Sequence, residues 1–298
     1  MRTIDYLIYD VFTEKALSGN QLGVILDAYG LSGVEMQAIA REFNIAETIF
    51  FLPPENPAHV AKVRIFMPLG ELPFAGHPTI GGAIAFAGKN GLGKEAKIVL
   101  EEGVGPVPCA VSADEFGGKS SFSAAIIPQE LPFNFNILDV CDALNLDPEA
   151  VGFDGHEIIT TSGGVPYVTI PMKNLGALGK AKVDGDKWLK LDVNRQGKFA
   201  APYLYCREGQ GIFRVRMFSP WDGIPEDPAT GSAAVAFAKT LHKFEFKADG
   251  THKVIINQGV EMGRPSQIGL SFAVKNGDLS SVEISGSAVK VAEGRLFL

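Results

Sequence analysis

The sequence has few cysteines, and they form no metal-binding or redox pair. Only Cys109, Cys141 and Cys206 occur in 298 residues, and they lie far apart in the chain. An odd number of scattered cysteines argues against a disulfide framework or a thiolate zinc site, and it favours a reducing compartment. The histidines also lack the spacing of a metal-binding pair. The sequence therefore predicts no metal site.

Long hydrophobic runs and charge runs are also lacking. The longest uncharged, mostly apolar stretch, Pro78 to Gly88, is too short to cross a bilayer. Asp5 and Asp10 interrupt the N-terminus before the apolar core of a signal peptide could form. The 34 acidic residues exceed the 27 basic ones, and neither sign is concentrated. Because phosphate binding needs a basic surface, we expect no nucleic acid or membrane partner. Because the sequence shows neither a signal peptide nor a membrane span, we expect a cytoplasmic location.

Many short apolar runs are present, and four helical patterns interrupt them. Val34–Phe43 and Ile137–Leu144 predict amphipathic helices on outer surfaces. Thr79–Ala87 and Ser232–Leu241 are rich in Ala, Gly, Val, Ile and Phe, which predicts helices surrounded by the strands of their own half. Runs rich in Val, Ile, Phe and Tyr that end at Gly, Pro or Asp predict strands. The predicted strands are Ile4–Val11, Gln21–Leu26, Thr48–Leu52, Ala61–Phe66, Lys97–Leu100, Val107–Val111, Tyr167–Pro171, Pro202–Cys206, Phe213–Phe218, Lys253–Ile256 and Ser281–Ile284.

An internal repeat is the most informative feature of the organisation. A strand that ends in Arg-x-Phe-x-Pro, a second proline and a glycine that opens an apolar helix occur twice. The copies are 152 residues apart at the arginine and 155 at the helix, which is close to half the chain. The copies are Arg64-Ile-Phe-Met-Pro68 with Pro73 and Gly76-His77, and Arg216-Met-Phe-Ser-Pro220 with Pro225 and Gly231-Ser232.

This repeat predicts an α/β protein with two similar domains. We assign residues 1–125 to the first domain and residues 126–298 to the second. The boundary is expected near the polar stretch Asp114–Ser121 or the proline-containing segment Pro128–Pro132.

Glu47 is a carboxylate inside an apolar run. On a strand, alternation places Glu47 on one face with Ile49 and Phe51. An acid on such a face loses water, which raises its pKa and allows proton exchange near neutral pH. In the alternative interpretation, Glu47 begins the strand with its carboxylate in water.

Two helix starts carry further polar groups. Gly76 and His77 open the first apolar helix, where free N–H groups bind anions and His77 could donate a hydrogen bond or a proton. Asp227, Thr230 and Ser232 surround the start of the second. All three are N-capping residue types, so a well-capped helix is the simpler interpretation. One N-cap suffices for a helix, however, so capping alone does not account for all three residues. If the two starts face each other across a cleft, Glu47, His77 and Asp227 converge on one small anion.

Several segments, taken in order, resemble the phenazine-biosynthesis PhzF-like family of the diaminopimelate epimerase-like superfamily. The resemblance covers essentially the whole chain and is far more specific for the family than for a substrate. The segments are Asp10-Val-Phe-Thr, Gly19-Asn20-Gln-Leu-Gly-Val24, Asn44-Ile-Ala-Glu47-Thr, Glu71-Leu-Pro-Phe-Ala-Gly76-His77-Pro-Thr79, Glu226-Asp227-Pro-Ala-Thr-Gly231-Ser232-Ala and Gln258-Gly-Val-Glu-Met-Gly263-Arg264-Pro-Ser266.

The resemblance implies two pseudo-symmetric domains, each a barrel-like β-sheet wrapped around a central apolar helix. It places the active site in the cleft between them and implies a homodimer and no cofactor. It also implies that the last strand, from about residue 285, can return to the first domain.

The resemblance also implies roles for individual residues. Glu47 matches the family's proton-shuttling glutamate, and Gly76, His77, Asp227 and Ser232 match its other active-site positions. Epimerase relatives place two cysteines at the cleft, whereas the cysteines of this chain lie outside every motif. A mechanism with two thiols is therefore disfavoured.

We therefore expect a cofactor-independent isomerase that acts on a small carboxylate-bearing metabolite. Glu47 would remove a proton and return it at another carbon, while His77 and Asp227 assist or hold the substrate. An epimerase or racemase with Glu47 and Asp227 as opposed bases stays open as an alternative, as does a non-catalytic binder of small anions. The expected substrate-binding residues are Gly76, Thr230, Gly231 and Ser232.

Overall fold

The computed structural model divides into two compact units. Unit 1 comprises Met1–Ser123 and Ile284–Leu298, and unit 2 comprises Ala124–Glu283. The sequence placed the boundary two residues later, at 125/126, and its second domain includes residues 133–135 and 192–199, which lie outside the described residues. The structure describes residues 2–93, 95–132, 136–191 and 200–298.

The strands of unit 1 form a closed barrel. They are β1 (Thr3–Val11), β2 (Asn20–Ile25), β3 (Glu47–Leu52), β4 (Ala61–Met67), β5 (Gly70–Leu72), β6 (Ala96–Glu102), β7 (Gly105–Ala113), β8 (Gly117–Ser123) and the end of β17 (Asp278–Phe297). The ring runs β1–β2–β3–β4–β6–β7–β8–β17, and β17 also pairs with β1. Neighbours β2–β3 and β4–β6 are parallel, and β5 adds to the side of β4.

Unit 2 repeats this plan. Its strands are β9 (Gln129–Leu131), β10 (Ile159–Ser162), β11 (Pro166–Pro171), β12 (Ala201–Gly209), β13 (Ile212–Ser219), β14 (Ile224–Asp227), β15 (Gly250–Gln258), β16 (Ser266–Lys275) and the start of β17. Here β11–β12 and β13–β15 are the parallel pairs, and β14 adds to the side of β13 as β5 does to β4. The duplication inferred from the sequence is therefore confirmed in the strand order.

Each barrel surrounds an apolar helix, as the sequence predicts. Helix α2 (Gly76–Lys89) contacts β1, β2, β3, β6, β7 and β8, and nearly all of its residues are buried. A Cβ at Gly81 would lie 2.6 Å from Leu22 and Val11 side chains, so glycine lets this helix approach the barrel wall. Helix α6 (Gly231–Phe244) packs in the same way against β9, β10, β11 and β16.

The remaining helices cover the outside of their barrels. Helix α1 (Gly33–Phe43) buries Met36, Ile39 and Ala40 on a cluster with Phe50 and Phe66. Helices α3 (Ile137–Ala143), α4 (Leu175–Lys180) and α5 (Gly185–Trp188) cover the corresponding face of unit 2 around Trp188. Among the described residues, no helix is long and apolar enough to span a membrane.

The sequence missed strands whose composition is polar or glycine-rich. The polar stretch Asp114–Ser121 is one of two segments near which the sequence predicts the domain boundary, but β8 begins at Gly117 and pairs with β7. Its Ser120 and Phe122 point inward and are buried, so the ladder and the packing override weak strand propensity. β17 is also far longer than the predicted Ser281–Ile284, because it continues across Gly286 and Gly294. β5, β9, β10, β14 and β16 were also missed.

Candidate active site

In unit 1, two predicted catalytic residues lie together where helix α2 begins. Gly76 is the first residue of α2, and its neighbour His77 is buried. Glu47 is the first residue of β3 and is also buried, so the interpretation that placed its carboxylate in water is wrong. Nε2 of His77 lies 3.1 Å from Oε2 of Glu47.

The hydrogen bonds of His77 define its protonation state. Nε2 faces two acceptors, the carboxylate of Glu47 and the backbone oxygen of Gln21 at 3.3 Å, so it carries the ring proton. Nδ1 then accepts from the side-chain amide of Asn20, at 3.3 Å. Burial lowers the pKa of His77 to about 3, although the hydrogen bond to Gln21 opposes this shift. His77 is therefore a neutral hydrogen-bond donor at neutral pH and not a proton donor.

The start of α2 offers backbone N–H groups rather than a side-chain cap. Its N-cap is Ala75, and no side chain in the described part of the chain caps it. The first turn itself holds no acidic residue, so none of its own side chains offsets the positive end of the helix dipole. Such a helix start binds a carboxylate well.

A second buried acid, Glu102 at the end of β6, contacts Thr79 in the first turn of helix α2. Oε1 of Glu102 is 2.7 Å from Oγ1 of Thr79, and that hydroxyl also lies 2.8 Å from the backbone oxygen of Ala75. The hydroxyl donates its one proton to these acceptors. Burial raises the pKa of Glu102 to about 8, although the hydrogen bond from Thr79 opposes this shift. No motif in the sequence indicated this residue.

In unit 2, the predicted residues gather where helix α6 begins. Gly231 is its first residue, and Asp227 and Thr230 are buried just before it. The hydroxyl of Thr230 donates to Oδ2 of Asp227. Ser232 Oγ lies 2.7 Å from the hydroxyl of Tyr167.

These contacts overturn the simpler interpretation of the motif as a capped helix. Thr230 occupies the N-cap position, yet none of the described side chains caps α6. Its hydroxyl bonds the Asp227 carboxylate instead. Like α2, this helix start presents uncapped backbone N–H groups.

No motif in the sequence indicated the tyrosines beside this helix. Tyr167 and Tyr203 have ring centroids 6.4 Å apart, and Tyr203 also packs on Phe237 of α6. Burial raises the pKa of Tyr203 well above its ordinary value, so its phenol stays protonated. Tyr203 and Tyr205 are two apart on β12 and both face inward, an alternation that could have indicated them.

The cysteines take no part in either cluster. All three are buried free thiols, in β7, α3 and β12. Burial raises the pKa of Cys109 to about 12 and raises those of Cys141 and Cys206. These thiols therefore stay protonated near neutral pH, which argues further against a mechanism with two thiols. Within the described ranges, no three His, Cys, Asp or Glu side chains are grouped to hold a metal ion.

The sequence and the fold both match those of known proteins. The phenazine biosynthesis-like protein family matches residues 9–294 of the chain. An uncharacterised isomerase of Mesorhizobium japonicum is 48% identical over 100% of both chains. A trans-2,3-dihydro-3-hydroxyanthranilate isomerase of Pseudomonas aeruginosa is 34% identical, over 98% of this chain and 99% of that one. The crystal structure of a Bacillus anthracis phenazine biosynthesis protein of the PhzF family superposes with a TM-score of 0.89, at 26% identity and full coverage of both chains.

The chain thus belongs to the phenazine biosynthesis-like PhzF family and is an isomerase of that type. The resemblance found in the sequence motifs is confirmed.

Proposed function

We propose that this isomerase moves a proton between two carbons of a small carboxylate-bearing metabolite, without a cofactor, and that Glu47 carries the proton. The observation that supports this most directly is the buried pair of Glu47 and His77 at the start of an uncapped helix. Such transfer needs a base that can both take and return a proton, and a carboxylate can do both.

His77 assists Glu47 without exchanging its own proton. Nε2 of its neutral ring lies 3.1 Å from Oε2 of Glu47, and the ring does not compete for the proton that Glu47 moves. Asn20 and Gln21 fix the ring orientation. Glu47 can therefore accept a proton from one carbon of the substrate, and it then returns that proton to the second carbon.

The helix start beside Glu47 is suited to the carboxylate of the substrate. The N–H groups of Gly76 and His77 open α2, and negative charge is stabilised there. Binding a carboxylate next to the reacting carbon also stabilises the negative charge that develops when the proton leaves.

Asp227 and the start of α6 supply the equivalent groups of unit 2. Asp227 matches the family's active-site position, and its Oδ2 accepts a hydrogen bond from Thr230. We propose that Asp227 holds or polarises the substrate and that Gly231 and Ser232 bind it. An exchange of Asp227 for Asn is expected to lower turnover without unfolding the protein.

The first substrate to test is trans-2,3-dihydro-3-hydroxyanthranilate, because a relative of known name isomerises it. The 48% identical relative is named only as an isomerase, so the test continues with a cell extract if this compound is not turned over. Carboxylates that the protein converts or retains are then identified by mass spectrometry.

The experiment compares the wild type with Glu47→Gln, which keeps the shape but cannot shuttle a proton. Glu42→Gln, on the exposed side of α1, is the matched control. We expect Glu47→Gln to lose turnover at least about 100-fold while its thermal unfolding stays cooperative, and Glu42→Gln to behave as the wild type. Full turnover by Glu47→Gln would refute the proposal.

A further inference from the structure

The segment that begins at Gln258 is a sequence motif to which the proposed function gives no role. Gln258 is the last residue of β15 and is completely buried. Its side chain reaches the loop between Asp227 and Thr230, just before α6. Nε2 donates to the backbone oxygen of Asp227 at 2.8 Å and to Oγ1 of Thr230 at 2.9 Å. Oε1 accepts from the backbone N–H of Thr230 at 3.2 Å.

These bonds can run in one direction only. The backbone N–H of Thr230 can only donate, so it fixes the amide of Gln258 with its oxygen toward that group. The amide nitrogen can only donate as well, so Oγ1 of Thr230 uses a lone pair to accept from it. The hydroxyl therefore donates its single proton to Oδ2 of Asp227.

The next residue shows that this fit is close. Gly259 has φ +72, and a Cβ there would lie 2.7 Å from the backbone oxygen of Pro228. It would also lie 2.4 Å from the backbone oxygen of Arg264. Glycine is needed for both reasons, and it lets the end of β15 approach the loop that carries Asp227. The Gln-Gly pair is therefore shaped to this loop.

We propose that Gln258 is a positioning residue for Asp227, which it controls through the hydroxyl of Thr230. Gln258 orients that hydroxyl as a donor, and the donor holds Oδ2 of Asp227 in place and favours its charged form. Thr230, expected from the sequence to bind substrate, is then a relay in this chain. The inference rests on the proposed function only in giving Asp227 a part in the reaction.

The test separates this relay from a merely structural role of the same residues. Thr230→Val removes the hydroxyl but keeps the backbone N–H and nearly the same shape, while Thr230→Ser keeps the hydroxyl. Gln258→Met removes the amide without adding a charge, so that the hydroxyl of Thr230 loses the donor that orients it. Thr240→Val is the matched control, because Thr240 is a buried threonine of α6 whose hydroxyl bonds Thr169.

The readout is the titration of the Asp227 carboxyl group, followed by NMR in protein labelled with ¹³C at aspartate and assigned with Asp227→Asn. It requires no substrate. We expect Thr230→Val and Gln258→Met to raise the midpoint by about one pH unit or more, and Thr230→Ser and Thr240→Val to leave it near the wild-type value. An unchanged midpoint in Thr230→Val would overturn the proposal, even if stability falls.

Turnover of Asp227→Asn tests the proposed function separately. If Asp227→Asn keeps full activity, the role of Asp227 in the reaction fails while the relay can still be present. If Asp227→Asn is inactive and the midpoint does not move in Thr230→Val, the relay fails alone. If Asp227 takes part in the reaction and the relay is present, the acidic limb of the pH profile of kcat shifts to higher pH in Thr230→Val, as the NMR midpoint does.

Discussion

Oε2 of Glu47 lies 3.1 Å from Nε2 of His77, and both side chains are buried beside the first turn of α2. Because the imidazole is neutral, the pair places a carboxylate that can act as a base beside a histidine that does not take up its proton. This arrangement differs from an ion pair, in which His77 would carry the proton that the reaction has to move.

The neutral His77 predicts a loss of stability in acid. In the unfolded chain histidine titrates near pH 6.5, whereas the pKa of folded His77 is about 3. The unfolded state therefore binds more protons between these values, and the free energy of unfolding falls as the pH drops from about 6.5 toward 3. The slope from this residue is up to about 1.4 kcal/mol per pH unit.

Urea denaturation at pH 7, 6 and 5 measures that slope. His77→Gln is expected to have a shallower pH dependence than the wild type. Equal slopes for His77→Gln and the wild type would show that His77 titrates normally.

Glu102 predicts the opposite trend, a loss of stability as the pH rises from about 4.5 to 8. Its folded pKa of about 8 lies above the unfolded value near 4.5, so stability is fully present below pH 4.5 and declines as the pH rises toward 8. Glu102→Gln mimics the protonated acid and does not titrate. We expect it to be more stable than the wild type at pH 8 and nearly equal at pH 5.

The adjacent Glu101 serves as the control of opposite sign. Its carboxylate accepts from the backbone N–H groups of Glu55 and Asn56, and these bonds lower its pKa. Glu101→Gln should therefore be less stable than the wild type at pH 8. A destabilised Glu102→Gln at that pH would contradict the protonated state of Glu102.

The repeated Arg–Glu pair predicts unequal costs for the same substitution. Arg216 is nearly buried, bonds Glu226 at 2.9 and 2.8 Å, and also donates to the backbone oxygens of Leu178 and Ala181. Arg216→Met leaves a mostly buried carboxylate and two backbone oxygens without their donor and should cost about 3–5 kcal/mol.

Its counterpart in unit 1 is the internal comparison. Arg64 bonds Glu71 at 2.6 Å through two nitrogens, but water reaches both side chains. Arg64→Met should cost about 1 kcal/mol or less. Chemical denaturation measures the loss in free energy of unfolding for both variants. Similar losses would mean that burial does not set the strength of these pairs.

Much of the fold was predictable because its signals are local or repeated. The offset between Arg64 and Arg216 indicated the duplication, and the lack of charge on most of α2 indicated its enclosure. β8 escaped because its Gly and Ser residues have weak strand propensity, and only its pairing with β7 makes it a strand.

The residues of the site were predictable one by one, but not their contacts. Glu47 and His77 stand out in their segments, whereas Asn20 meets His77 only after β2 has paired in the barrel. Gln258 likewise meets Thr230 because the parallel pairing of β13 and β15 carries the end of β15 to that loop. Such partners depend on strand register, which no short motif records.

The most direct test of the account is the reaction of the wild type in D₂O, with the product analysed by NMR and mass spectrometry. If Glu47 moves a proton between carbons, the product has a shifted double bond and carries at most one deuterium, at the carbon that receives the proton. Inversion at a single carbon, with deuterium there and the double bond unmoved, would contradict the account and favour an epimerase.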